Sequence, residues 1–230
     1  MCNVNTSDNS HTTSLKQSCL KMVLWNCRSA IPKQEDISNL LMSIDILVLT
    51  ETWLSVTTQC TQFNFPGFLV IRDDRTTGRG GGIAFLIRKN IAFVKLTKLP
   101  KPHRSLELSG IQITNCDQPF SIISIYKPPD VHLQLYQWES LFQHLNSTGK
   151  VIFLGDFNAH NIVWNCDKTD ADGSCTLDCI YKYNFILHNL DTKTHIDFRM
   201  GKYSNIDLLF STVDVAQNIT HRVDTDPMGS

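Results

Sequence analysis

The stretch Val151-Ile152-Phe153-Leu154-Gly155-Asp156-Phe157-Asn158-Ala159-His160 decides how this chain reads. Four apolar residues, the first two β-branched, have the length and composition of a buried strand. Gly155 lets another backbone or a ligand approach closely. Asp156 and Asn158 sit two apart, so they point the same way where the chain is extended. A carboxylate at the end of a buried strand needs something to pair with.

The same ending recurs elsewhere. Val23-Leu24-Trp25 runs into Asn26, and Ile46-Leu47-Val48-Leu49-Thr50 runs into Glu51. Ile122-Ile123-Ser124-Ile125 runs into Tyr126, and Asp207 lies in Asn205-Ile206-Asp207-Leu208-Leu209. Taken singly, Asn26 and Asp207 read as ordinary turn or cap residues. The joint pattern points to a crevice lined by Glu51, Asp156, Asp207, Asn26 and Asn158. These are oxygen donors without a His or Cys cluster, which suits Mg²⁺ or Mn²⁺ rather than zinc. Carboxylates gathered this closely need a cation to offset their repulsion.

Further strands are expected at Phe68–Ile71, Gly82–Ile87, Ile91–Leu96, Leu106–Ile113, Thr194–Phe198 and Ile219–Val223. Helical spacing of apolar residues appears in Gln34–Met42 and His132–Leu145, and more weakly in Ser174–Tyr183. Many strands with a few interleaved helices predict an α/β or α+β domain with more than one sheet layer. Residues 1–20 are polar and without apolar period, so they read as a mobile tail before one domain over 21–230.

The 230 residues are 42% hydrophobic, enough for a sizeable core. A formal net charge of −1 excludes binding by bulk positive charge. No apolar run is long enough to span a bilayer, and the N-terminal segment lacks the apolar stretch of a secretory signal. The eight cysteines therefore read as thiols rather than a disulfide framework, and the spacing of Cys166, Cys175 and Cys179 fits no standard zinc site. Residues 72–104 hold nine Lys and Arg against Asp73 and Asp74 alone. From charge alone these are solvated faces, but the loop Arg72–Gly82, with Arg75 and Arg79, is also the leading candidate for phosphate contact.

Five motifs occur in order: Leu24-Trp25-Asn26-Cys27-Arg28-Ser29, Glu51-Thr52-Trp53-Leu54, Tyr126-Lys127-Pro128-Pro129, Gly155-Asp156-Phe157-Asn158-Ala159-His160 and Ser204-Asn205-Ile206-Asp207-Leu208. Together they resemble the endonuclease/exonuclease/phosphatase superfamily, and within it the apurinic-type endonuclease domain of non-LTR, Jockey-like retrotransposons. The resemblance covers roughly residues 21–230. It implies a deoxyribonuclease I-like four-layer α/β sandwich, two mixed β-sheets face to face between helices. It also implies Mg²⁺-dependent nicking of double-stranded DNA, leaving a 3′-hydroxyl that a downstream reverse transcriptase domain extends. Carried over residue by residue, Glu51 is the principal metal ligand, assisted by Asn26. Tyr126 sits beside the scissile phosphate, Asp156 positions or activates water, and Asn158 contacts the phosphate. Thr194 contacts phosphate or DNA, and Asp207 belongs to the final metal-and-histidine cluster. The family closes on a Ser-Asp-His motif after a turn like Asp226-Pro227-Met228-Gly229-Ser230, so that pair and the final strand are expected beyond Ser230. Action on DNA implies a nuclear site of work after cytoplasmic synthesis. The alternatives are an inactive nucleic-acid-binding fragment and a repair abasic-site nuclease or phosphatase of the same fold.

Overall fold

Strand β2 (Ile46–Thr50) is apolar at four successive positions because both of its faces are covered. Ile46 and Val48 point into one core, while Leu47 and Leu49 point into another. The computed structural model describes residues 19–76, 78, 80–189, 193–197 and 201–224. Most of the tail expected over 1–20, and the turn expected at 226–230, lie outside these residues.

The first sheet contains β1 (Met22–Asn26), β2, β3 (Phe68–Asp73) and β4 (Ile83–Arg88) in the order β1-β2-β4-β3. β1 and β2 run parallel and are joined through helix α1 (Gln34–Leu41); the other pairs are antiparallel. The second sheet contains β5 (Phe93–Lys95), β6 (Glu107–Ile113), β7 (Phe120–Tyr126), β8 (Val151–Asp156), β9 (Phe185–Leu187) and β12 (Asp207–Thr212). Its order is β5-β6-β7-β8-β12-β9, with β7 and β8 parallel and joined through helix α2 (Leu135–Ser147). Helix α3 (Ala171–Lys182) precedes β9, β10 (His195–Asp197) pairs with β11 (Lys202–Ser204) as a hairpin, and α4 (Val213–Ala216) follows β12.

Three apolar layers separate four structural layers. Ile37 and Leu41 of α1 pack with Leu47, Leu49 and Leu86 on the outer face of the first sheet. Ile46, Val48 and Phe85 meet Ile111, Ile122, Ile152 and Leu154 between the sheets. Phe153 and Phe210 on the far face of the second sheet pack under Trp138, Phe142 and Ile180 of α2 and α3. The expected sandwich of two mixed sheets flanked by helices is the observed fold.

Three details differ from expectation. Ile219–Val223 is not a strand. The chain leaves α4 through turns closed by Asn218 N–H to Val215 O and Ile219 N–H to Ala216 O. Ile219 then packs against the core between the sheets by its side chain alone. Strands β9 and β11 were not anticipated, because three residues are too short to show a period of two.

Candidate functional site

The residues that end the strands meet in one cleft. Tyr126 of β7 is paired with Asp156 of β8, and Asp156 with Asp207 of β12. Paired residues project to the same face, so these three form a row across adjacent strands. The first sheet brings Asn26 and Glu51 to the same end. The resulting cleft, of about 370 Å³, is lined by Asn26, Arg28, Glu51, Trp53, Tyr126, Asp156, Asn158, Thr194, His195 and Asp207, among others.

Asn26 ties the two sheets together. Its Nδ2 donates to Glu51 Oε1 at 2.9 Å and to Asp156 Oδ2 at 2.7 Å. Asp156 also accepts the Asn158 N–H at 3.1 Å, and Asn158 Nδ2 donates to the Lys127 carbonyl at 2.9 Å. Gly155 is required by its neighbour strand, since a Cβ there would lie 2.0 Å from the Ile125 carbonyl oxygen. The close approach expected at Gly155 is therefore to backbone. Backbone strain collects here as well. Arg28, Ser29, Glu51, Trp53 and Asn158 all have positive φ, a conformation that clusters at functional sites.

The electrostatics are unbalanced. Burial, together with the Asp207 and Glu51 carboxylates, pushes the Asp156 carboxyl well above the usual range. Burial and Glu51 raise Asp207 to about 7, although its hydrogen bond to Thr194 opposes the shift. Burial, Glu51 and Asp156 raise the Tyr126 phenol, which keeps it a neutral O–H donor.

Two buried acceptors in the cleft, Asn26 Oδ1 and Asp207 Oδ1, have no hydrogen-bond partner. Orphaned acceptors beside mutually repelling carboxylates fit a hard divalent cation. Among the described residues no group of three His, Cys, Asp or Glu side chains is gathered as a metal cage. The fit thus depends on Asn26 sharing the site with Glu51 and Asp207.

The Thr194 hydroxyl accepts the N–H groups of Ile206 at 3.1 Å and Asp207 at 3.0 Å, and it also bonds the Asp207 carboxyl. A hydroxyl has one proton and two lone pairs, so these bonds use its capacity. In this geometry Thr194 holds Asp207 in place. Arg75 pairs with Glu107, and its guanidinium lies 5.4 Å from the centre of the Tyr126 ring. It touches Tyr126 without being one of the residues that line the cleft. Arg79 lies outside the described residues. Arg72, Arg88 and Lys95 of the same basic stretch pair with Asp74, Asp45 and Asp73. His160 bonds Asp170 at 2.9 Å, whereas His195 reaches the cleft with Arg28 3.4 Å from its Nδ1.

Supporting residues escaped the sequence reading. Lys127 is fully buried, 3.3 Å from Asp172, and donates to the Val131 carbonyl at 2.7 Å. Asn189 Nδ2 donates to the Asp207 carbonyl at 2.7 Å and to Asn205 Oδ1 at 2.8 Å, fixing the start of β12. A Lys before two prolines and an Asn between short strands carry no signal that distinguishes them from loop residues.

The endonuclease-reverse transcriptase family matches residues 120–230. The RNA-directed DNA polymerase from mobile element jockey of Drosophila funebris is 24% identical over 162 residues, covering 69% of this chain. The chain spans only 17% of that relative's length. Among solved structures, the endonuclease domain of TRAS1, a telomere-specific non-LTR retrotransposon, superposes with a TM-score of 0.71 at 20% identity, covering 90% of this chain and 92% of that one. An AP endonuclease from Archaeoglobus fulgidus gives 0.67 at 19% identity, covering 86% and 88%. The likeness first carried by five short motifs is thus borne out in the fold: this chain is similar to the endonuclease domain of a non-LTR retrotransposon and shares its architecture.

Proposed function

We propose that this domain is a divalent-metal-dependent DNA endonuclease, nicking double-stranded DNA to leave a 3′-hydroxyl that a reverse transcriptase of the same polyprotein extends. The observation that carries the reading is Asn26, bonded at once to Glu51 and Asp156 across the two sheets, with its own carbonyl oxygen left unpartnered. Jockey's polymerase as a relative supports the polyprotein context. A chromosomal DNA substrate would have the domain act in the nucleus.

Glu51 and Asn26 would hold Mg²⁺, or Mn²⁺, with Asp207 beside them. The bound cation supplies neutralisation of charge on the phosphate and the leaving oxygen. The protein's own groups do the rest. Asp156, made a stronger base by burial and repulsion, can take a proton from an attacking water at its carboxylate. The Tyr126 hydroxyl donates toward phosphate oxygen, and Asn158 lies across the same cleft. The amide of Asn158 is held by the Lys127 carbonyl, so a phosphate contact would use its remaining N–H. Thr194 and Asn189 keep Asp207 in register.

Nicking of supercoiled plasmid tests the reading, with Mg²⁺, with EDTA, and with Glu51→Ala. It is run on the 230-residue chain and on a longer chain that adds the expected Asp-His pair. Mg²⁺-dependent nicking lost in Glu51→Ala supports it. DNA binding without nicking by either folded chain favours a binding module instead. Cleavage confined to abasic plasmid favours a repair activity.

A further inference from the structure

Trp53 is a buried type of side chain in an exposed place. Trp25, Trp138 and Trp164 are at most 5% exposed, whereas Trp53 is 51% exposed and lines the cleft. Its φ of 53° is in the left-handed region, which a bulky residue rarely occupies. The strain is held by backbone bonds from Trp53 N–H to Gly81 O at 2.9 Å and from Thr52 N–H to Gly82 O at 3.2 Å.

Glycines 80–82, all at positive φ, pack closely around this turn. A Cβ on Gly80 would lie 3.3 Å from Trp53 Nε1, and one on Gly82 would lie 2.5 Å from Thr52 Oγ1. One on Gly81 would collide with Arg75 and Glu107 at 2.5 Å. Trp53 Nε1 also reaches Glu51 Oε2 at 3.4 Å, so the ring stands beside the carboxylate at the centre of the proposed chemistry. A core position would not need this apparatus. A strained, braced and half-exposed indole at the rim of a nuclease cleft has the properties of a stacking platform.

We propose that Trp53 stacks on a nucleobase next to the cleaved phosphate and so fixes the DNA strand over Glu51. This rests on the DNA-nuclease reading. Stacking is tolerant of base identity, because every base offers a π face. The platform therefore contributes affinity and register rather than sequence choice.

Trp53 is the only well-exposed tryptophan of the four, so acrylamide quenching of the whole chain reads it directly. A short DNA duplex, added in EDTA to prevent cleavage, is expected to protect that fluorescence. Trp53→Ala is expected to weaken duplex binding roughly 5- to 100-fold, and Trp53→Phe to remain within about threefold of the wild type. A duplex lacking the single stacked base should bind wild type and Trp53→Ala alike. Duplex bound with Trp53 still fully quenchable, or wild-type affinity in Trp53→Ala, overturns the inference and leaves the nuclease reading intact. Failure of the wild type to bind or nick any DNA removes both. If Trp53→Ala does not fold, protection in the wild type and the affinity of Trp53→Phe decide the matter.

Discussion

One peptide unit separates two groups of buried carboxylates that are solved in opposite ways. Tyr126 lines the cleft with Asp156 and Asp207, while Lys127, next in the chain, reaches Asp172 of α3. Asp172 is fully satisfied: it accepts from Leu133 N–H at 3.0 Å and Trp138 Nε1 at 3.1 Å, and it lies 3.0 Å from His132 Nδ1 and 3.3 Å from the Lys127 ammonium. Asp156 and Asp207 face each other and Glu51, with the Asp207 Oδ1 atom left without a donor. The first group is what a fold does with a buried charge that it keeps for packing. The second is what it does with charge reserved for something that arrives later.

The largest effect expected from this contrast is chemical. Asp156→Asn should lower Mg²⁺-dependent nicking by roughly 10²–10⁴-fold, the range for removing a general base. Thermal denaturation of the same variant should show no loss of stability, since a repelling carboxylate has been neutralised. The Asp172 group should behave in reverse. Asp172→Ala strands the Lys127 ammonium in the core and should destabilise by about 3–5 kcal/mol in urea unfolding. Lys127→Met with Asp172→Leu removes both charges and should recover much of that loss. If the double variant is no better than the single one, the pair is not an isolated ion pair, and its hydrogen bonds to Leu133 and Trp138 matter more than its charge.

The site was legible because it sits where strands end. Apolar runs that stop at Asn26, Glu51, Tyr126 and Asp156 announce one edge of a sandwich, and the ladder places Tyr126, Asp156 and Asp207 in one row. The supports were not legible because their meaning depends on residues far along the chain. Nothing beside Lys127 in the chain marks it as buried; α3 places Asp172 against it. Trp53 follows Glu51 in a short motif, and its exposed place emerges only where Gly81 and Gly82 hold the turn by backbone bonds. The basic stretch suggested DNA contact, but ion pairs to Asp45, Asp73, Asp74 and Glu107 engage four of its cations. Short strands such as β9 and β11 are set by pairing with longer neighbours, which no local pattern records.

The smallest effect is the most diagnostic, because its sign distinguishes the two groups. The Asp207 carboxyl titrates near 3.8 when free and at about 7 in the fold. Between those values the folded chain holds a proton that the unfolded chain has released. Stability from this group is therefore complete below about pH 3.8 and is lost as pH rises toward 7. Asp207→Asn should remove that part of the pH dependence and stabilise the protein at pH 7.5 by roughly 0.5–2 kcal/mol, at the expense of activity. Melting curves in EDTA from pH 4.5 to 7.5, wild type against Asp207→Asn, check it without any contribution from divalent cation. Adding Mg²⁺ at pH 7.5 should raise the wild-type Tm more than that of the variant, because a cation relieves the same repulsion. Parallel curves across the whole pH range would mean that the repulsion is already relieved within the fold, and the cleft would then have no stored imbalance for a metal to answer.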